Sequence, residues 1–152
     1  MMEGRNRANH LDRLFRLISE EKEKDVPCIF LSYQRKDEEF ATAVADYIKE
    51  HQIDVFFDLD DINLKKGKSP ELVTNSIKEA LNKSNFMLVI VSPTTYESPW
   101  VPFEIGYAYD NMGAKMKILK HRDLPLQGLP DYLKTKEFLH GFQSLNLSLI
   151  HI

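Results

Sequence analysis

The stretch that decides the fold class is Val26 to Ser32, VPCIFLS, an apolar run in which polar and apolar residues do not alternate. A continuous apolar strand is typical of the centre of a parallel sheet, because helices cover such a sheet on both faces. Asn85 to Val91, NFMLVIV, has the same character. The two runs therefore predict buried strands of a parallel sheet.

Outward from these runs, shorter apolar segments alternate with helical patterns. Three further strands are predicted, at 53–57, 115–120 and 136–140. The helices are predicted to begin near Asp37, Ser69, Ser98 and Phe142. The first three of these are residue types that cap helix N-termini. Alternating strands and helices indicate an α/β fold, which we predict to be a flavodoxin-like three-layer sandwich with a five-stranded parallel sheet.

The N-terminal region is predicted to add an amphipathic helix to this sandwich. Its apolar residues recur on one helical face, namely Leu11, Leu14, Phe15 and Ile18. Such a helix either packs on the domain or docks another protomer. Residues 1–7 are polar, and we expect them to be loosely held. We accordingly divide the chain into an N-terminal helical extension, 1–25, and a single domain, 26–152.

Composition and charge narrow the class of protein. The net charge of -3 gives no reason to expect nonspecific binding to nucleic acid. The single cysteine, Cys28, excludes an internal disulfide and fits a reducing compartment. The N-terminus lacks the apolar region of a signal peptide, and no stretch approaches the ~20 apolar residues of a membrane helix. These features predict a soluble cytoplasmic protein.

Several familiar catalytic motifs are incomplete in this sequence. The Gly-Lys-Ser run at 67–69 looks like the end of a phosphate-binding loop, but Ile62 stands where that loop requires a glycine. Asp58 and Asp60 follow a predicted strand. This position resembles that of the acids in phosphatases that use an aspartyl nucleophile and Mg²⁺, and the alternative is that the two acids belong to a solvated turn. The five histidines are scattered without metal-ligand spacing, so no metal site is predicted.

Glu104 is the most promising single residue. It lies early in the helix predicted after Ser98, beside the rim of the sheet where folds of this kind bind ligands. Its aromatic neighbours in sequence are Tyr96, Trp100, Phe103 and Tyr107. A carboxylate near aromatic surface is partly desolvated and can face a ligand's developing positive charge. The alternative is a helix glutamate that pairs with a nearby lysine.

Four segments in the right order and spacing together resemble the TIR (Toll/interleukin-1 receptor) domain family, over about residues 27–145. They are Ile29 to Tyr33 followed by Asp37, Val55 to Asp58 followed by Gly67-Lys68, Phe86 to Pro93, and Ser98 to Trp100 followed by Glu104. Members of this family are either scaffolds that signal by self-assembly or enzymes that cleave NAD⁺ at the nicotinamide–ribose bond. Trp100 to Glu104 looks like the enzymatic version.

For this chain the resemblance implies a prokaryotic NAD⁺-cleaving enzyme, with NAD⁺ as substrate and no cofactor. Glu104 would be the catalytic carboxylate. The substrate-binding residues would be Tyr33, Gln34, Arg35, Asp58, Ser92 and Trp100. The products would be nicotinamide and ADP-ribose, or a cyclic or modified ADP-ribose signal, with antiphage defence as the expected setting. The loop at 58–68 would close the site or join protomers in a homo-oligomer.

Two alternatives stay open at this point. A non-enzymatic scaffold would assemble through the loop at 58–68 and the N-terminal helix. A flavodoxin-like phosphate-handling protein would use Asp58 and Asp60. The sequence also departs from the family pattern, because Val101 and Pro102 follow a tryptophan that is often followed by cysteine. Pro102 can alter the helix entry and hence the direction in which the nearby glutamate points.

Overall fold

The computed structural model describes residues 3–8, 26–57, 69–120, 129–150 and 152, without the side chain of Tyr96. The predicted N-terminal helix and the loop at 58–68 lie outside these residues. Among the helices within them, none is long and apolar enough to cross a membrane.

Strands and helices alternate along the described chain, as the sequence pattern predicts. The strands are β1 (Cys28–Ser32), β2 (Asp54–Phe56), β3 (Phe86–Val91), β4 (Met116–Lys120) and β5 (Glu137–Leu139). The α-helices are α1 (Glu38–Glu50), α2 (Pro70–Lys83), α3 (Val101–Met112) and α4 (Gly141–Ile150). Each strand lies within its predicted run and is at most two residues shorter at either end.

The five strands form one parallel sheet in the order β2-β1-β3-β4-β5. The chain passes from β1 to its neighbour on one side and then returns to its neighbour on the other side, β3. Strand order therefore reverses between β1 and β3. We call the region beyond the carboxyl ends of these two strands the crevice, because open α/β sheets bind their ligands there. The predicted α/β fold with a five-stranded parallel sheet is confirmed.

Helices cover both faces of the sheet and form a core on each. Helices α2 and α3 pack on one face through Val73, Ile77, Leu81, Val101, Ile105 and Ala108. Helices α1 and α4 pack on the other through Ala41, Val44, Ala45, Ile48, Leu145 and Leu149. Successive side chains of a strand point to opposite faces, so Val89 joins the first core whereas Leu88 and Ile90 join the second. Apolar contacts on both faces explain why β3 shows no alternation.

The predicted serine cap of α2 is confirmed, whereas Ser98 lies two residues before Trp100, the N-cap of α3. Ser69 caps α2. The hydroxyl oxygen of Ser98 accepts hydrogen bonds from the N–H groups of Trp100 and Val101, at 3.2 and 3.3 Å. Helix α3 itself begins only at Val101, with Pro102 in its first turn. A proline is tolerated there because the first turn leaves its N–H groups without helical partners.

Residues 3–8, the edge segment, pair with the outer side of β2. Val55 exchanges backbone hydrogen bonds with both neighbours of Asn6, at 2.7 and 2.9 Å. The side-chain amide of Asn6 accepts from the N–H of Phe57 at 3.0 Å and donates to its carbonyl oxygen at 2.5 Å. Our expectation that residues 1–7 are loosely held is therefore wrong for the described part of that stretch.

A buried ion pair anchors the edge segment. Nε of Arg7 lies 2.8 Å from Oδ2 of Asp54, and the backbone N–H of Arg5 donates to Oδ1 of the same carboxylate at 2.8 Å. Both partners of the ion pair are buried. A buried charge is tolerated only when it is paired and hydrogen-bonded, so the carboxylate requires the edge segment to stay in place.

We predict opposite effects of alanine at two glycines. A Cβ atom at Gly4 would lie 1.8 Å from the carbonyl oxygen of Ile53, so Gly4→Ala must displace the edge segment and lower the free energy of unfolding. A Cβ atom at Gly106, on the exposed side of α3, would meet nothing within 4 Å. Gly106→Ala should raise the free energy of unfolding by about 0.5–1 kcal/mol, because alanine favours the helix. Urea denaturation measures both changes, and a fully stable Gly4→Ala variant would contradict the docking of the edge segment.

Candidate functional site

Ser32 and Ser92 mark the crevice at which the strand order reverses. Ser32 is the last residue of β1, and Ser92 directly follows β3. Both side chains are buried, and their strands are neighbours in the sheet. Two segments border the crevice. The first rim loop, residues 33–37, follows β1, and the second rim loop, residues 92–100, follows β3.

Glu104 extends from the first turn of α3 toward the end of β1. The residue is only 7% exposed, and its Oε2 accepts a hydrogen bond from Oγ of Ser32 at 2.5 Å. The helix is regular here, since the N–H of Glu104 donates to the carbonyl oxygen of Trp100 at 2.9 Å. Pro102 therefore leaves the helix intact, and the carboxylate is directed to the crevice rather than to solvent.

Asp37, the last residue of the first rim loop, binds the other strand end. Oγ of Ser92 donates a hydrogen bond to Oδ2 of Asp37 at 2.6 Å. Asp37 occupies the N-cap position of α1, as predicted, but its side chain makes no capping hydrogen bond. The physical reason is competition, because the hydroxyl of Ser92 offers the carboxylate a part-buried donor.

The two serine–carboxylate pairs cross the crevice reciprocally. The serine that ends β1 binds the carboxylate on the helix that follows β3. The serine that follows β3 binds the carboxylate at the start of the helix that follows β1. Hydrogen bonds to a charged group are stronger than those between neutral groups. The crossed pairs therefore tie both strand ends to both helices.

The predicted residues of the first rim loop lie at different depths. Tyr33 is half-buried, with its ring centroid 5.0 Å from that of Phe57. Gln34 is buried, and its Oε1 accepts a hydrogen bond from the N–H of Lys36 within the same loop. Arg35 is exposed. The loop thus uses the amide oxygen of its glutamine to hold its own turn and leaves the guanidinium near solvent.

Trp100 belongs to an aromatic row along α3. Its ring is half-buried and meets Phe103 at an interplanar angle of 85°, with 6.2 Å between centroids. Phe103 in turn stacks on Tyr107, with 6.3 Å between centroids. The predicted neighbour of the crevice from β2, Asp58, lies outside the described residues, so its role stays a prediction.

Ser32 and Asp37 are the crevice residues that the predicted site lacks. Serine at a strand end is common, and an acid before a helix usually indicates a cap. Their positions in the sequence were the signal that could have identified them. Each residue lies at or shortly after the carboxyl end of β1, one of the two strands between which the order reverses.

The arrangement presents a preorganised carboxylate at the crevice. A partly desolvated carboxylate interacts strongly with hydroxyl groups and with developing positive charge, because the local dielectric is low. Within the described ranges, every buried side-chain nitrogen and oxygen has a hydrogen-bond partner. No group of three or more His, Cys, Asp or Glu side chains in those ranges could hold a metal ion.

Comparison with known proteins gives a family and a fold. A family model described as TIR domain matches residues 29–143. No curated protein matches the chain. The structure of a metazoan TIR-STING receptor from C. gigas in complex with 2',3'-cGAMP aligns with a TM-score of 0.57 at 17% sequence identity, over 73% of this chain and 34% of the receptor chain. This chain spans about a third of that receptor, and the likeness shows a shared fold.

We predict that Ser32→Ala destabilises the protein through Glu104. The buried carboxylate would lose a hydroxyl donor, which should lower the free energy of unfolding by about 2 kcal/mol. The matched control is Ser76→Ala, which removes an exposed hydroxyl bonded to Leu72 and should change that free energy by less than about 0.5 kcal/mol. Urea denaturation measures both variants. In a Glu104→Ala background the cost of Ser32→Ala should shrink, and an undiminished cost would contradict the pairing.

Proposed function

The chain belongs to the TIR domain family, and on this premise we propose that it cleaves NAD⁺ at the nicotinamide–ribose bond with Glu104 as the catalytic carboxylate. The observation that carries the proposal is the buried carboxylate at the crevice, held at 2.5 Å by the hydroxyl of Ser32. Its position at the point where strand order reverses is where open α/β sheets bind their ligands.

The proposed reaction asks little of the protein. The nicotinamide of NAD⁺ is already cationic, so the bond between its ring nitrogen and C1′ of ribose breaks with both electrons leaving on nicotinamide. No general acid is needed. The ribose passes through an oxocarbenium-like state, whose positive charge a nearby carboxylate stabilises. Water that attacks C1′ and loses a proton gives ADP-ribose, whereas attack by a nucleophile within the molecule gives a cyclic product.

The crevice residues support distinct parts of this reaction. Glu104 accepts hydrogen bonds from the ribose hydroxyls and faces the positive charge. Ser32 keeps the carboxylate in one orientation, so little reorganisation is needed when charge develops. Tyr33 borders the ribose and nicotinamide side. Arg35 is exposed beside it and can pair with the pyrophosphate, since a guanidinium binds phosphate oxygens in two-point fashion. Trp100 forms the wall at the start of α3.

The biological setting that we propose is antiphage defence in a prokaryote. The protein would act there by depleting NAD⁺ or by producing a cyclic or modified ADP-ribose signal. Two observations support this setting: the chain belongs to the TIR domain family, and Glu104 stands where enzymatic members carry their carboxylate. The competing function is a non-enzymatic scaffold that signals by self-assembly.

The decisive prediction concerns Glu104→Gln, which keeps the side-chain shape and removes the charge. Nicotinamide release from NAD⁺ by the purified variant should fall at least about 100-fold, as expected when a group that stabilises the transition state is lost. The matched control is Glu97→Gln, which neutralises an exposed glutamate of the second rim loop and should change the rate by less than about twofold. A Glu104→Gln variant with wild-type turnover would rule out the assigned role. A wild-type protein that stays silent at high concentration with molecular crowders would favour the scaffold.

A second prediction concerns assembly through the loop at 58–68. If neighbouring protomers complete the site, the rate of nicotinamide release per protomer should fall when the protein is diluted. A crowding agent should restore the rate at the same protein concentration, because it favours association. The measurement is the initial rate across a dilution series. Strict proportionality between rate and protein concentration would show that each protomer acts alone.

A further inference from the structure

Two links at different depths join the rim loops. The inner link is the hydrogen bond from Oγ of Ser92 to Oδ2 of Asp37, at 2.6 Å. The outer link is the ion pair of Lys36 and Glu97, also at 2.6 Å, with side chains that are 64% and 56% exposed. Solvent screens the outer pair, which contributes about 0–1 kcal/mol. The inner link, part-buried and charge-assisted, is therefore the one that holds the two loops together.

The inner link continues into the second rim loop. Oγ of Ser92 accepts a hydrogen bond from the N–H of Thr94 at 3.3 Å. The N–H of Ser92 donates to Oγ1 of the fully buried Thr95 at 2.7 Å. The turn that results leads to Ser98, whose hydroxyl oxygen accepts hydrogen bonds from the N–H groups of Trp100 and Val101. The carboxylate of Asp37 thus holds the turn at the beginning of the second rim loop.

The same residue is tied to the opposite side of the crevice. The backbone N–H of Asp37 donates to the carbonyl oxygen of Gln34 at 2.8 Å. Gln34 lies between Tyr33 and Arg35, two of the residues assigned to the substrate. Asp37 therefore connects the loop that receives NAD⁺ with the loop that leads to α3.

We propose that Asp37 is a positioning residue for NAD⁺, which sets the separation of the rim loops and hence the width of the crevice. This inference rests on the proposed function. Because Ser32 holds Glu104 independently, loss of the Asp37 carboxylate leaves the reacting group in place and loosens the walls that receive ribose and nicotinamide. The variant should therefore bind NAD⁺ more weakly, which raises KM, while the rate of the bond-breaking step, which sets kcat, changes little. A merely structural role would instead reduce the active fraction, and so kcat, without changing KM.

The kinetic test compares Asp37→Ala, Asp37→Asn and Glu97→Ala with the wild type in steady-state nicotinamide release. Asp37→Ala should raise KM about tenfold and change kcat by less than about threefold. Asp37→Asn should raise KM less, because its amide oxygen can still accept the hydroxyl of Ser92. Glu97→Ala breaks only the outer link and should leave KM unchanged. An unchanged KM in Asp37→Ala, with or without a fall in kcat, overturns the inference.

A binding test keeps this inference separate from the proposed function. In the Glu104→Gln background, isothermal titration with NAD⁺ should show a Kd about tenfold higher when Asp37→Ala is added. Asp37→Asn should raise the Kd by a smaller factor, and it serves as the test if the alanine variant does not fold. If the wild type binds NAD⁺ but releases no nicotinamide, the proposed cleavage fails while the Kd comparison still decides the role of Asp37. An unchanged Kd overturns the inference. A protein that binds no NAD⁺ in any form overturns both.

Discussion

Helices cover the sheet on both faces, so both faces of its central strands must be apolar. This constraint confines the polar side chains of these strands to the strand ends. The apolar runs of β1 and β3 fill a core on each side, so these strands can carry polar chemistry only where they end. Ser32 is the polar residue that ends the first run, and Ser92 directly follows the second. Parallel strands end at one edge of a sheet, and the connections after β1 and β3 depart to opposite faces because the strand order reverses between them. The two serines therefore lie at the carboxyl ends of neighbouring strands, where the strand order reverses.

The crossed serine–carboxylate pairs satisfy a structural and a chemical requirement together. A buried carboxylate is costly unless donors bind it, and Glu104 and Asp37 each receive a serine hydroxyl from the opposite strand. The same hydrogen bonds orient the two acids before any ligand arrives. A fixed carboxylate suits a reaction in which positive charge grows on a sugar and the leaving group needs no proton. The stability of the strand ends and the proposed catalysis thus depend on the same contacts.

Most of the fold could be predicted because its signals are local. Runs of apolar residues, serine caps and prolines near helix starts report the conformation of a few neighbouring residues, and the strands were found to within two positions. The edge segment could not be predicted in this way. Its pairing with β2 depends on the Arg7–Asp54 ion pair and on the amide of Asn6, which join residues about fifty positions apart. Polar residues without periodicity carry no sign of such partners before the chain is folded.

The candidate site shows the same division. By itself the sequence determined the α/β class, the identity of the strand that ends before each rim loop, and the choice of Glu104 as the acid of interest. Only the tertiary structure decided that Pro102 leaves this acid directed at the crevice and that Ser32 binds it. It also decided that the carboxylate of Asp37 accepts a hydrogen bond from Ser92 and makes none to the N–H groups of its own helix. The reason is physical. Propensity and capping depend on neighbours along the chain, whereas a carboxylate selects the strongest donor that folding brings within reach, and that donor lay 55 residues away.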